Sequence, residues 1–303
     1  MNINISKQVK IVFLFIIVSL AWGTTWMATK ISVQTIPPIF ATGLRFLCAS
    51  PVLLLIALIK KIPLLLPVGS RHFQCTISLC YFIIPFTLMF YGGRYTSAGL
   101  AAIIFATMPV VVLLTSILIS KVKTSFQQTL GLLISTISIT GILWKETNHS
   151  HNNDIKGIIA LIIAVFMHSL MYVFFKKRGD QSIITSTTLP CLVAGILLTF
   201  IGYQIEKPIY DNISLSSLLS IVYLGIVSNV FGMISYFALQ KLTRPFQASL
   251  VFIVFPVIAI LLDSLFNKII INITTFLLII SLTIGIIMIV SSPNHATKKH
   301  IRT

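Results

Sequence analysis

Hydrophobic positions in this chain do not alternate with polar ones; they come in blocks. Ten continuous apolar runs lie near residues 11–29, 38–59, 74–92, 96–119, 127–144, 156–175, 185–204, 217–238, 246–266 and 273–291, parted by short polar connectors. Each is about 18 to 24 residues long, which is what a helix needs to cross ~30 Å of hydrocarbon. Barrel strands would alternate over ~10 residues, whereas these runs are apolar throughout. The pattern predicts an all-α integral membrane fold of ten transmembrane helices.

Composition fixes the solvent. A mean hydropathy of +1.01, with 56% hydrophobic and only 9% charged residues, belongs to a protein embedded in lipid. The balance of 22 Lys and Arg against 6 Asp and Glu gives a net charge of +16. The basic residues stand singly or in pairs between the runs, so they read as a topology signal and not as a nucleic-acid surface. With the N-terminus in the cytoplasm, six fall outside (Lys30, Arg94, Lys145, Lys156, Lys207 and Lys268), Arg45 falls within the membrane, and the other fifteen of the 22 lie inside. Both termini are therefore expected in the cytoplasm, which agrees with an even number of spans. The first run follows Lys7 and Lys10 as a secretory signal would, but its length and the nine runs after it make it an uncleaved span. Cys48, Cys75, Cys80 and Cys191 sit in or at the edges of apolar runs without metal or disulfide spacing, and are expected to be ordinary buried thiols.

The chain also repeats itself. A shift of 147 residues pairs Arg94 with Lys241, Thr96 with Thr243, Ala101 with Ala248, Phe105 with Phe252, Pro109 with Pro256 and Lys121 with Lys268. A shift of 146 pairs Trp22 with His168, Trp26 with Tyr172 and Lys30 with Lys176. The paired prolines and the basic residues at span ends carry most of the weight, because apolar residues match easily. Five helices per half is an odd number, so the halves enter the membrane from opposite sides. Residues 1–146 are expected to form the first repeat, 147–154 an external linker, and 155–303 the second repeat with a short basic cytoplasmic tail. Asn148-His149-Ser150 spells a glycosylation sequon and His149 and His151 are metal-ligand types, but the stretch reads as a plain polar linker.

Polar chemistry interrupts the apolar runs most clearly between Ala21 and Arg45. Ionisable groups at membrane depth cost about 3 kcal/mol on insertion scales, so they usually face a cavity, a partner or a functional pathway. Trp22-Gly23, the Lys30, Pro38 and Arg45 that follow, the segment Tyr95 to Ala101 leading into Met108-Pro109, and the matching Ala248 to Pro256 resemble the EamA-type drug/metabolite transporters. The resemblance covers nearly the whole chain in order. It implies a ten-helix bundle of two inverted five-helix repeats in the cytoplasmic membrane, carrying small organic solutes such as amino acids, often outward. One departure is Leu242 to Gln247, where Arg-Pro-Phe stands in place of the small residues.

The residues themselves outline a site. At about 100° per residue, Trp22, Thr25, Trp26 and Thr29 share one face of the first helix, and His168, Met171, Tyr172 and Phe175 the matching face of the sixth. Two aromatic faces meeting at the midplane would hold a flat or amphipathic solute by stacking and, for a cation, by cation–π attraction. The alternative is packing or interface anchoring, above all for Trp26 near a span end. Arg45 pairs with a substrate carboxylate or phosphate, or snorkels to helix-end carbonyls, and both stay open. Lys30 reads as a span-end charge. His168 is the histidine deep in a span, as a structural group, a substrate partner or a proton carrier. Tyr81, Ser228, Asn229 and Tyr236 complete the polar positions deep in spans, and interhelical bonds would satisfy them as well as a ligand would. Pro85, Pro109, Pro190 and Pro256 permit kinks.

No nucleophile grouping, carboxylate pair or phosphate loop is visible, so neither catalysis nor a cofactor is expected. The partners expected are a small-molecule substrate and the lipid bilayer, with the oligomeric state left open. A channel-like facilitator or a membrane scaffold or sensor are the rival readings. Labelling from the two sides tests the topology: a cysteine introduced at Thr297 is expected to react only from the cytoplasmic side, and labelling from outside would overturn the assignment.

Overall fold

The computed structural model describes residues 2–121, 124–149, 154–177, 182–243, 251–267 and 272–291. Among these the chain forms helices and no strand. Eight helices are long and apolar enough to cross a membrane: α1 (Lys7–Thr35), α2 (Pro38–Ile59), α3 (Val68–Tyr95), α4 (Ala98–Ile119), α5 (Phe126–Lys145), α6 (Ile155–Phe174), α7 (Ile183–Glu206) and α8 (Leu215–Leu239). Two shorter apolar helices follow, α9 (Val254–Phe266) and α10 (Ile273–Ile289). His151, Lys123, Arg178, Lys268, the basic tail and the Arg-Pro-Phe departure at 244–246 lie outside the described residues, as do Ala248 and the side chains of Phe175 and His149.

Two elements run past their expected ends. Helix α1 continues to Thr35 although Lys30, Ser32 and Gln34 are polar, because Lys30 and Ser32 find partners there and Gln34 is exposed. Lys30 Nζ donates to the carbonyls of Thr96 at 2.7 Å and Arg94 at 3.3 Å, and Ser32 Oγ donates to Thr29 O at 2.7 Å. The helix that contains α5 extends to His149, into the expected linker, since Lys145-Glu146-Thr147 can continue the winding once clear of hydrocarbon.

Lipid supplies no hydrogen-bond partners, so helix ends must find them within the protein. Helix α2 begins with Pro38, which has no N–H to satisfy, and the next two amides, Ile39 N and Phe40 N, donate to the two carboxylate oxygens of Glu206 at 3.1 and 2.9 Å. At the start of α4, Gly99 N donates to Asp263 Oδ2 at 2.7 Å, and Leu100 N to Ser97 Oγ at 3.2 Å. A carboxylate at a helix N-terminus is favoured by both the free amides and the helix dipole. Thus α7 caps α2, and the end of α9 caps α4. Cations serve the opposite ends: Lys61, Lys121 and Lys207 all take left-handed backbone at helix C-termini, with φ of 51, 49 and 46°.

Packing is pairwise. Helix α2 lies chiefly on α7, α5 on α10, α3 on α6, α4 on α9 and α1 on α8. Small residues set the approach, as expected where lipid tails are as apolar as the side chains they would replace. At the α5–α10 crossing a Cβ on Gly131 would stand 2.7 Å from Gly285 O, so only glycine lets the backbones meet. Gly131→Val is therefore predicted to destabilise the fold by about 1–3 kcal/mol. The fall in the thermal unfolding midpoint of the purified protein measures it, and an unchanged midpoint would contradict the close crossing.

Candidate functional site

Seven helices converge on a cavity of about 140 Å³. Its walls are Trp22, Thr25 and Trp26 of α1, Arg45 of α2, Tyr81, Phe82, Phe86 and Met89 of α3, Phe105 and Met108 of α4, His168 and Tyr172 of α6, Ser228, Asn229 and Met233 of α8, and Phe255 of α9 with Phe252 ahead of it in the same helix. The α3 and α8 residues come from the middle stretches of their helices, so the cavity lies at depth in the bundle.

Local winding aims these side chains. Helix α3 is π-wound from Ser78 to Ile83, immediately before Pro85, and α8 is π-wound from Leu224 to Gly232. Pro85 supplies no amide to the preceding turn, which accounts for the wider winding in α3. The two wide turns carry Tyr81 and Phe82 on one side and Ser228 and Asn229 on the other. Gly232 makes room for Trp22, since a Cβ there would sit 2.9 Å from the indole Nε1.

Aromatic rings form most of the surface. Trp22 packs tilted on Tyr236 at 4.8 Å and on Phe252 at 5.9 Å, and Trp26 on Phe105 at 4.7 Å. The imidazole of His168 meets Tyr81 at 4.8 Å and Phe86 at 5.2 Å, both edge to face. Hydroxyls are paired: Thr25 Oγ1 and Ser228 Oγ lie 2.6 Å apart, and Tyr172 hydrogen-bonds Tyr236. Asn229 Nδ2 points to Cys191 Sγ at 3.9 Å.

Arg45 differs from all of these. It is 3% exposed, and its Nε and Nη1 have no hydrogen-bond partner among the described residues. Neither of those nitrogens meets a helix-end carbonyl, as snorkelling would require. Its guanidinium carbon lies 4.8 Å from the centre of the Phe86 ring and 5.7 Å from that of Phe90. A desolvated cation–π contact is worth about 2 kcal/mol, while an uncompensated buried charge costs several. The rings therefore offset only part of the cost. Among the described residues, no carboxylate lines the cavity.

Of the nine residues singled out from the sequence, Trp22, Thr25, Trp26, Arg45, Tyr81, His168, Tyr172 and Asn229 are brought together here. Tyr236 is not in the lining; it stands behind Trp22, buried. Thr29 and Met171, on the expected faces, are also buried away from the cavity. Trp26 is 3% exposed and no interface anchor; the exposed indole is Trp144, at 72%. Among the cysteines Cys191 is buried, Cys48 and Cys80 partly so, and Cys75 is exposed, beside exposed Arg71, His72 and Thr76, so it is not the buried thiol expected. Sequence reasoning missed Phe82, Phe86, Met89, Met108, Met233 and Phe255, which look like any apolar residue in a span. The signal that was available is the repeat pair Phe105 and Phe252, both of which line the cavity.

The chain is similar to known proteins along most of its length. The sequence profile of the EamA-like transporter family matches twice, over residues 9–144 and 155–291. Protein PagO of Salmonella typhimurium is 48% identical over 289 residues, covering 95% of both chains. A Buchnera aphidicola protein named only as a transporter is 45% identical over 86% of this chain and 87% of its own. The Escherichia coli protein YedA, named as an inner membrane transporter, is 26% identical over 80% of this chain and 78% of its own. A solved crystal structure superposes with a TM-score of 0.66 at 16% identity, covering 96% of this chain and 98% of that one, and so shares the fold.

Proposed function

The chain belongs to the EamA-like transporter family, and from that premise we propose that it moves a small organic metabolite across the cytoplasmic membrane through the central cavity, by alternating access. The observation that carries this reading is the cavity itself: a deep, aromatic, partly polar chamber drawn from both halves of the chain, of the kind that takes small ligands. It needs neither a catalytic grouping nor a cofactor.

Rocking of two inverted repeats, 1–146 and 155–303 about a polar linker, gives the motion. Local structure at the repeat offsets supports the duplication. Thr96 and Thr243 both end a helix with extended backbone, and each returns its hydroxyl to the carbonyl four residues back, at 2.8 and 2.7 Å. Lys61 and Lys207 both carry positive φ. The π-wound turns of α3 and α8 correspond, as do Trp22 with His168 and Trp26 with Tyr172 in the lining. The packing pairs map onto themselves when every helix is exchanged with the one five places on. The Glu206 and Asp263 caps, each joining one repeat to the other, would close the outer side and must part when it opens.

Since no acid lines the cavity, transport is facilitated or by exchange, following the gradient of the solute and outward for one that accumulates in the cytoplasm. His168 is the proton-capable side chain of the wall. Counterflow in proteoliposomes tests the carrier. Trans-stimulated uptake is expected, and flux without it would favour a channel. Uphill movement driven by a pH gradient and retained in His168→Gln would contradict the coupling proposed here.

A further inference from the structure

Among the described residues, the wall of the cavity presents one fixed positive charge and no negative one. Arg45 aims a guanidinium with unpaired Nε and Nη1 into a space otherwise lined by neutral groups. Lys30, the next cation along the path, is held by the carbonyls of Thr96 and Arg94. The acids with described partners are used at helix ends: Glu206 on α2, Asp263 on α4 and Asp154 on Lys156 N ahead of α6. A ligand that enters must therefore meet a cation whose planar fork fits a carboxylate, and finds no carboxylate for an ammonium of its own. One guanidinium balances one negative charge, which disfavours dicarboxylates and phosphate dianions.

Volume limits the rest of the ligand. A cavity of about 140 Å³ is close to the ~150 Å³ that takes up a single benzene ring. Trp22, Trp26 and Phe105 offer that ring edges and faces, while Asn229 and the Thr25–Ser228 hydroxyl pair complete the polar part of the wall.

From this juxtaposition we infer that the site is built for an organic monocarboxylate with a one-ring or short branched body and no amino group. The inference rests on the reading of this cavity as the solute site, and it narrows that reading from metabolites in general to monoanions. An amino acid would pair its carboxylate with the guanidinium but carry a second cation, its ammonium, into the same chamber, with no acid among the described residues of the wall to receive it.

The test uses the full-length protein in lipid nanodiscs and four probes of one shape: phenylacetate, phenylacetamide, phenethylamine and L-phenylalanine, with 3-methylbutyrate as the branched case. Equilibrium dialysis is expected to show phenylacetate bound at least tenfold more tightly than its amide, its amine and the amino acid. Arg45→Lys, which keeps charge but loses the fork, is expected to weaken phenylacetate at least tenfold and to leave phenylacetamide unchanged. The wild-type ranking needs no variant, so a misfolded mutant does not remove the test. Equal binding of phenylacetate and phenylacetamide, tighter binding of L-phenylalanine, or no binding of either carboxylate at millimolar concentration would each overturn the inference. Counterflow separates it from the transport reading. Arg45-dependent binding of phenylacetate without trans-stimulation supports the monoanion site and sinks transport, whereas trans-stimulated exchange of L-phenylalanine alone supports transport and sinks the monoanion site.

Discussion

Hydrocarbon offers no hydrogen-bond partner, and the architecture follows from that constraint. Backbone amides and carbonyls pair within helices. Threonine and serine hydroxyls in the spans turn back to the carbonyl of the preceding turn, as Thr42, Thr87 and Thr188 do, each at 2.7 Å. Helix starts that cannot reach water are closed by carboxylates from the helix lying alongside, Glu206 on α2 and Asp263 on α4. Against this background an arginine whose Nε and Nη1 meet nothing is conspicuous. The buried hydroxyls of Ser19, Thr29, Ser135 and Thr199 also lack a partner among the described residues, but Arg45 carries a charge, of whose cost the Phe86 and Phe90 rings offset only part.

The same constraint explains what surrounds that charge. Opening a chamber inside a helical bundle requires local departures from α winding, and the π-wound stretches of α3 and α8 supply them. Both bring polar residues to the wall without breaking their helices, and both are backed by glycine or proline: Gly232 beneath Trp22, Pro85 after the turn in α3. Among the described residues, the lining of the chamber comes from the helices themselves.

Much of this was legible in the chain, because membrane insertion writes burial into sequence. Runs of apolar residues located the spans, and Arg45 stood out because charge at that depth has few explanations. The first- and sixth-helix faces followed from helical period and the 146-residue repeat offset, which is why Trp22, Trp26, His168 and Tyr172 were placed together. Tyr236 was named for its depth in a span alone, which does not say which way a side chain faces, and the structure sets it behind Trp22. The phenylalanine and methionine walls were illegible for a simpler reason: in lipid, apolar residues face tails, neighbours and cavities alike. The caps were hidden too, since Glu206 and Asp263 lie 167 and 164 residues from amides they serve.

The chain has three tryptophans, and two of them, Trp22 and Trp26, line the cavity while Trp144 lies exposed. In Trp144→Phe, intrinsic fluorescence reports on the cavity alone. If solute passes between α1, α2 and α6, a transported solute is predicted to change this emission saturably, at the concentrations that half-saturate its transport. Saturable transport by the same variant with no change in either indole would place the path elsewhere in the bundle and contradict the account.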